Sequence, residues 1–347
     1  MKTLVDKLSF GHSLTKSDWI ELISSQTPEL SEYVFAQARE VRDAVYGHEI
    51  YIRGLIEFTN YCRNDCYYCG IRKSNQNTNR FRLTPDEILS CCQVGYDLGF
   101  RTFVLQGGED GYFTDERLIA LIRQIKKDFP ACAVTLSAGE KSHDSYQALF
   151  EAGADRYLLR HETASISHYQ KLHPASLSAS HRQKCLYDLK EIGYQTGAGM
   201  MIGSPYQTAE HLAEDMLFLK DLMPHMIGIG PFIPHHNTPF AKEASGTIEQ
   251  TLFILGLVRL MIPEVLLPAT TALGAIRPDG RELGILAGAN VIMPNLSPSN
   301  TRKHYHLYDN KPFSGLEAAE HLAELRIRMK EMGYTVVTAR GDSKVLS

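Results

Sequence analysis

Between residues 60 and 73 the chain reads NYCRNDCYYCGIRK, which places three thiols within eight positions. Cys62, Cys66 and Cys69 follow a C-x3-C-x2-C spacing. Soft thiolate ligands suit zinc, Cu(I) or an iron–sulfur cluster. Zinc needs four ligands, usually two C-x2-C pairs or added histidines. The other cysteines offer no second pair of that kind, since Cys91 and Cys92 are adjacent and Cys132 and Cys185 are isolated. A 4Fe-4S cube held by three cysteines leaves one iron without a protein ligand, and that iron can take a small molecule. On that reading the absent fourth ligand is the functional feature. Zinc completed by one of the 14 histidines is the competing reading.

Other residues point to a ligand site near this loop. LQGGED at 105–110 sets Gly107, Gly108 and Glu109 at a strand end. Glycines there let a ligand approach the backbone, and Glu109 can accept hydrogen bonds from an ammonium group. An ordinary βα turn is the plain alternative. Arg53 lies among apolar neighbours in YIRGLIEF. Facing inward it demands an anion; otherwise it points out between helices. In PATTA, Thr270 and Thr271 are adjacent, so only one points straight into a cavity and the other is free to cap the next helix. Tyr305 and Tyr308 lie three apart and could share a helical face over the mouth of a barrel. His235 and His236, between Pro234 and Pro239, read as a loop corner rather than a metal pair, because neighbours in sequence rarely converge on one ion. Cys91, Cys92, Cys132 and Cys185 read as small buried hydrophobes.

The 347-residue chain suits one α/β barrel with extensions or two smaller domains. A formal charge of −4 argues against general nucleic-acid binding. An odd cysteine count without a secretory signal argues against a disulfide framework. Asp6 and Lys7 interrupt the start where a signal peptide would be apolar. The most apolar stretch, 252–276, is broken by Arg259, Pro263 and Glu264; it reads as a buried helix followed by a buried strand. The expected setting is cytoplasmic, without a membrane partner.

Eight short apolar or β-branched runs alternate with amphipathic segments: 49–58, 101–107, 133–139, 156–162, 195–203, 226–234, 266–272 and 289–295. Helix starts are marked by Thr84 with Pro85, by Thr114 and by Thr208; Gly99 and Gly153 mark ends. Polar residues and glycines sit at the C-terminal ends of nearly all eight runs. A closed barrel gathers such ends at one mouth, whereas an open sheet concentrates them at one switch point. The predicted fold is therefore α/β, a complete (β/α)8 TIM-type barrel over 48–300. Residues 1–47 form an N-terminal helical extension, and 301–347 form a C-terminal helical segment packed on the barrel.

The cysteine loop after strand one, with Tyr68 just before Cys69, resembles that of the radical S-adenosylmethionine (SAM) enzymes. RYLLRHETA (156–164), GYQTGAGMMIGSPYQT (193–208), GIGPFIPHHNTPFA (228–241), PATTALG (268–274) and GANVIMPNLSPS (288–299) extend the likeness along almost the whole chain. Within the superfamily these stretches resemble the HydE branch of FeFe-hydrogenase maturases more than biotin synthase or methylornithine synthase. The resemblance implies one 4Fe-4S cluster on Cys62, Cys66 and Cys69, with SAM completing its open iron and being cleaved to a 5′-deoxyadenosyl radical. It implies SAM contacts from Tyr68, Gly107, Gly108, Glu109, Glu162 and Arg182, with Met201 as filling beside them. For Glu162 a rim salt bridge with Arg160 or His161 is the alternative. It implies substrate contacts from Arg53, Gln106, Thr135, Arg160, Thr270, Thr271, Met293 and Tyr305. The implied substrate is a small organometallic one, an iron–cysteine complex carrying CO and cyanide. The implied partners are other hydrogenase maturases and a low-potential electron donor of ferredoxin or flavodoxin type. Two departures stand out: no cysteine follows Cys185 to hold an accessory cluster, and Gly107 lacks a hydroxyl that relatives can carry as serine. A methylornithine synthase-like mutase or sulfur-chemistry enzyme, and a zinc scaffold without catalysis, are the other readings.

Overall fold

The computed structural model describes residues 1–345. Nine strands carry the fold: β1 (Glu49–Ile52), β2 (Gly54–Thr59), β3 (Thr102–Gly107), β4 (Ala133–Ser137), β5 (Arg156–Leu158), β6 (Gln195–Ile202), β7 (Met226–Pro231), β8 (Val291–Ile292) and β9 (Thr335–Val337). Strands β2 to β7 pair in sequence order as one parallel sheet. Parallel neighbours need a crossover, and helices supply it between β2 and β7. A second parallel sheet has the order β8-β1-β9.

The helix signals hold where local chemistry is strong. Thr84 and Glu87 cap each other's backbone reciprocally at the start of Pro85–Leu98, and Gly99 ends that helix at φ 99°. Thr208 caps Ala209–Leu222. Thr114 occupies its cap position without a side-chain cap bond. The expected 14–47 helical region is Lys16–Ser24 and Pro28–Tyr46, preceded by a further helix, Lys2–Ser9.

Two expectations need correction. The run 266–272 is not a strand. It contributes single bridges, Leu266 to Met226 and Pro268 to Val291, and then turns into the helix Thr271–Ile276. Pro268 has no N–H for a ladder, and Thr270 sits at the helix N-cap position. The buried helix expected in 252–276 is Ile248–Met261, but no buried strand follows it. The C-terminal segment also holds more than a helix and tail. Its helix is Leu322–Glu331, and the β-branched Thr335–Val337 pairs alongside β1. The complete eight-stranded barrel is thus met in part, as an α/β fold on parallel sheets. Within the second sheet the amides of Tyr51 and Arg53 donate to the carbonyls of Asn290 and Ile292, and Leu55 of β2 links the two sheets by donating to Pro294 O.

The main core lies between sheet and helices, from Ile56 and Phe103 out to Leu121 and Leu219. A smaller cluster of Tyr46, Tyr51, Leu158, Met226, Leu266 and Val291 packs inside, towards the strands' N-terminal ends. No described helix is long and apolar enough to cross a membrane.

Candidate active site

A cavity of about 310 Å³ opens at the C-terminal ends of the strands. Alternation along each strand explains its lining: Leu55 and Glu57 of β2, Gln106 of β3, Ser137 of β4, Gly228 and Gly230 of β7 all face it. Cys62, Cys66 and Cys69 line the same space.

The cysteine loop has little regular structure, so its backbone must be satisfied by side chains. Arg80 does much of this. Its guanidinium donates to the carbonyls of Asn60, Ile71 (2.8 Å), Arg72 (2.7 Å) and Asn75 (3.1 Å). Asn60 accepts from Phe81 N at 2.7 Å and donates to Asn79 O and His304 O. On the far side the loop lies directly on Gly108, where a Cβ would stand 2.3 Å from Tyr61 O and 2.7 Å from Cys62 Cβ. Gly108 is therefore required by loop packing as much as by any ligand. Gly107 is similarly crowded, with Thr59 Cγ2 at 2.7 Å from an added Cβ.

The three thiols share a wall, yet among the described residues they do not form a set with all donor atoms within 4.8 Å of one another. One tetrahedral zinc ion would draw its sulfurs to about 3.8 Å apart, given Zn–S bonds of about 2.3 Å. Burial raises all three thiol pKa values, that of Cys66 to about 12 against the pull of Arg182. The loop thus stores neutral thiols that iron would convert to thiolates.

Charged groups ring the thiols. Glu109 accepts from Arg63 Nε at 3.0 Å and from Glu140 N at 2.9 Å. It lies across Gly139, where φ is 78° and a Cβ would stand 1.9 Å from Glu109 Cγ. A carboxylate has about four acceptor positions, so capacity remains for an ammonium. Arg182 Nε stands 2.8 Å from Glu140 Oε1, and its Nη1 donates to Arg160 O at 3.1 Å. Glu162 is held at φ 65°, a left-handed conformation unusual for a side-chain-bearing residue, with its amide on Gly199 O. Its carboxylate pairs with Arg160 at 3.2 Å, so the rim salt bridge weighed as its alternative is present. Tyr68 Oη meets His173 Nε2 at 3.1 Å. His173 Nδ1 donates to Tyr169 O at 3.0 Å, which leaves Nε2 as acceptor for the phenol. Met201 joins Leu172, Phe232 and Phe240 as an apolar wall beside Tyr68.

Residues 56–219 match the model of the Radical SAM superfamily. The FeFe-hydrogenase maturase subunit HydE of Thermotoga maritima is 47% identical over 310 residues, 89% of this chain and 88% of the relative. This chain belongs to the HydE family of radical SAM enzymes. It is accordingly a 4Fe-4S- and SAM-dependent enzyme. The 3-methylornithine synthase of Methanosarcina barkeri is 29% identical over 88% of this chain and 87% of its own length. The crystal structure of methylornithine synthase superposes with a TM-score of 0.82 at 26% identity, covering 96% of this chain and 97% of the other. The maturase HydG shares the fold, with a TM-score of 0.80 at 21% identity, covering 96% of this chain and 75% of its own.

In this radical SAM enzyme the cluster and SAM residues expected from sequence meet in one cavity. Of the expected substrate residues, Gln106, Arg160, Thr270, Thr271, Met293 and Tyr305 also line it. Both threonine hydroxyls are engaged, Thr270 on Ile229 O at 3.1 Å and Thr271 on Glu317 at 3.0 Å. Arg53 and Thr135 are not in the lining. Each is fully buried, two residues before lining residues of its own run (Leu55 and Ser137), so both sit one side-chain layer deeper. Arg53 faces inward, with Nη1 on Met226 Sδ, rather than out between helices. Its Nε and Nη2, and Thr135 Oγ1, lack hydrogen-bond partners in the structure. Burial, reinforced by Arg156, lowers the Arg53 pKa.

The sequence reading missed Glu57 and Lys311; Tyr308 lines the cavity with Tyr305 as expected, though residues 305–308 are not helical. Glu57 is wholly buried, pairs with Lys311 at 2.5 Å and accepts from Asn295 Nδ2 at 2.9 Å. An acid inside the otherwise apolar run GLIEF was the available signal. Lys311 carried none, since it reads as a surface lysine until residues 303–311 are folded across the mouth. His235 and His236 lie in a loop as expected, yet with Asp309 their donor atoms come within 4.8 Å of one another, so the three could hold a metal ion and the expectation against a metal pair is not borne out. The two rings stack at 4.5 Å and 17°, so their in-plane lone pairs run side by side, and His236 Nδ1 already meets Asp309 at 2.7 Å.

Proposed function

We propose that this enzyme acts in assembly of the di-iron subcluster of FeFe-hydrogenase, on a small iron–cysteine complex carrying CO and cyanide. The carrying observation is the 47% identity to a HydE protein along 89% of the chain, on a cavity with the cluster thiols at one edge. A bound cluster with SAM supplies reductive cleavage of the sulfonium to methionine and a 5′-deoxyadenosyl radical.

The chain's own residues position and exclude. Arg182, already braced by Glu140, presents a guanidinium to a carboxylate, a geometry it satisfies in a fork. Glu109, held by Arg63 and the Glu140 amide, accepts from an ammonium. Tyr68, oriented by neutral His173, covers one side of the nucleoside. Glu162 and Arg160 offer polar contacts at the rim. Gln106, Thr270, Thr271, Met293 and Tyr305 shape the substrate chamber, and Arg53 with Thr135 gives its floor an affinity for anions. Of the C-terminal segment 301–347, residues 346–347 lie outside the described residues and the rest is read as packed on the barrel, with Tyr305, Tyr308 and Lys311 covering the mouth against water. The core of 48–300 is read as a closed eight-stranded barrel, supported by the single bridges through Leu266, Pro268 and Asn295. A cytoplasmic setting, other maturases as partners and a low-potential electron donor complete the proposal.

The test is anaerobic reconstitution, then SAM and reductant with either the iron complex or lysine. The proposal expects 5′-deoxyadenosine release that the iron complex stimulates and lysine does not. Stimulation by lysine with a rearranged amino acid would favour the mutase reading.

A further inference from the structure

We propose that the outer face of the cysteine loop is a docking surface for a small, acidic, low-potential one-electron donor protein. Residues 60–82 carry Arg63, Arg72, Lys73, Arg80 and Arg82 against Asp65 alone, a balance of +4 in a chain whose balance is −4. Arg72 is buried on Asp65 and the Arg80 guanidinium is spent on backbone carbonyls, but folding turns Arg63, Lys73 and Arg82 outward. Arg63 is 68% exposed while the Glu109 that pairs with it is 8% exposed. Arg82 is 34% exposed over Asp110 at 4%. The carboxylates are beneath and the guanidinium groups above, so a partner meets the positive ends of these pairs.

The patch is continuous. Lys73 is exposed, and its amide bonds Asn64 O at 2.8 Å, one residue from Arg63. The Arg82 guanidinium lies 3.8 Å from the Tyr61 ring centre and 4.8 Å from that of Tyr112. Exposed Arg117 lies 3.9 Å from the Tyr112 ring centre. Tyr112 is itself 44% exposed and is held by these cations, a pre-oriented aromatic anchor of the kind that dominates interfaces. Glu116, exposed on the same turn as Arg117, is the anion the partner must clear.

Charge complementarity selects an acidic partner, and such a surface speeds encounter. Nucleic acid fits less well, because the remainder of the chain is acidic. Cys62 directly precedes Arg63, so a partner seated here lies beside the thiols that hold the cluster. One electron passes from the donor's reduced centre to the cluster; the donor is oxidised by one electron, and no bond or proton moves at this surface. The inference rests on the cluster reading, which a chemical reductant tests by itself.

The experiment uses reconstituted holoenzyme and the double variant Lys73→Glu/Arg117→Glu, since neither residue lines the cavity. Three quantities are measured: affinity for a reduced flavodoxin as a function of salt, the rate at which it reduces the cluster, and SAM cleavage driven by dithionite. The expected result is roughly ten-fold or greater loss of affinity and of protein-driven reduction, a flatter salt dependence, and unchanged dithionite-driven cleavage. Wild-type affinity or reduction rate in the variant would overturn the docking face. So would salt-independent binding by the wild type, or an equal fall in dithionite-driven cleavage. A wild-type holoenzyme that cleaves no SAM with dithionite would overturn the cluster reading instead, and the affinity measurement would still decide the docking face.

Discussion

The cofactor side and the substrate side of the cavity are built by different means. The cofactor side hangs on β2 to β6 and on a loop with many partners close in sequence, Arg80 pinning residues 60 to 75 and Asp65 holding Arg72 and Ser74, beside the long-range bonds of Asn60 to His304 O and Tyr68 to His173. The substrate side is assembled across great sequence distance. Glu57 meets Lys311, Gln106 reaches Tyr305 at 3.5 Å and Thr271 meets Glu317, while Gly70 N on Leu307 O at 2.8 Å ties the cysteine loop to the same distant segment. A local site survives as a motif, whereas a site made of distant pairs can exchange members while the cluster remains.

The largest expected effect tests the cofactor side. Cys66→Ala removes one of the three thiols and should abolish 5′-deoxyadenosine release, with iron content falling in parallel. Arg182→Lys keeps the charge but loses the planar fork. SAM affinity should fall about ten-fold or more, a change of about 1.4 kcal/mol per decade, while the folded protein keeps its thermal midpoint.

On the substrate side, Lys311→Ala leaves Glu57 buried without its cation. Breaking a buried pair costs about 3–5 kcal/mol, so denaturant unfolding should show a clear loss. The double variant Glu57→Gln/Lys311→Met should recover much of that loss. Additive destabilisation in the double variant would mean that the pair does not hold the cap.

A smaller effect concerns pH. Burial lowers His173 to about 3, from an ordinary value near 6.5. A histidine that stays neutral when folded favours the fold above its unfolded pKa, and that contribution is lost as pH falls from about 6.5 towards 3. His173→Gln has no imidazole to protonate, so its stability should decline less steeply across that window than wild type. The smallest effect belongs to the exposed His236–Asp309 pair, where His236→Ala should cost under about 1 kcal/mol.

Legibility followed the same division. Thr84 with Glu87 and the cysteine spacing declared themselves because neighbours in sequence supply their partners, and seven of the eight strand runs did so because apolar alternation is itself a local signal. Run 266–272 looked like a strand because apolar, β-branched composition does not separate a strand from a buried extended segment that ends at a helix cap. Thr335–Val337 was passed over because a three-residue strand carries little periodicity. Arg53 was suspect in sequence as a charge in an apolar run, but only packing placed it one layer below the cavity.

What the chain determined alone was the set of short-range facts: three thiols on one loop, helix starts at capping threonines, alternating strands with polar ends. These follow from bond geometry and nearest-neighbour hydrogen bonding. What tertiary structure decided was which distant side chains share one cavity, above all Lys311 on buried Glu57. The strength of that contact arises from removing water around both groups, and no residue's identity discloses where water will be removed.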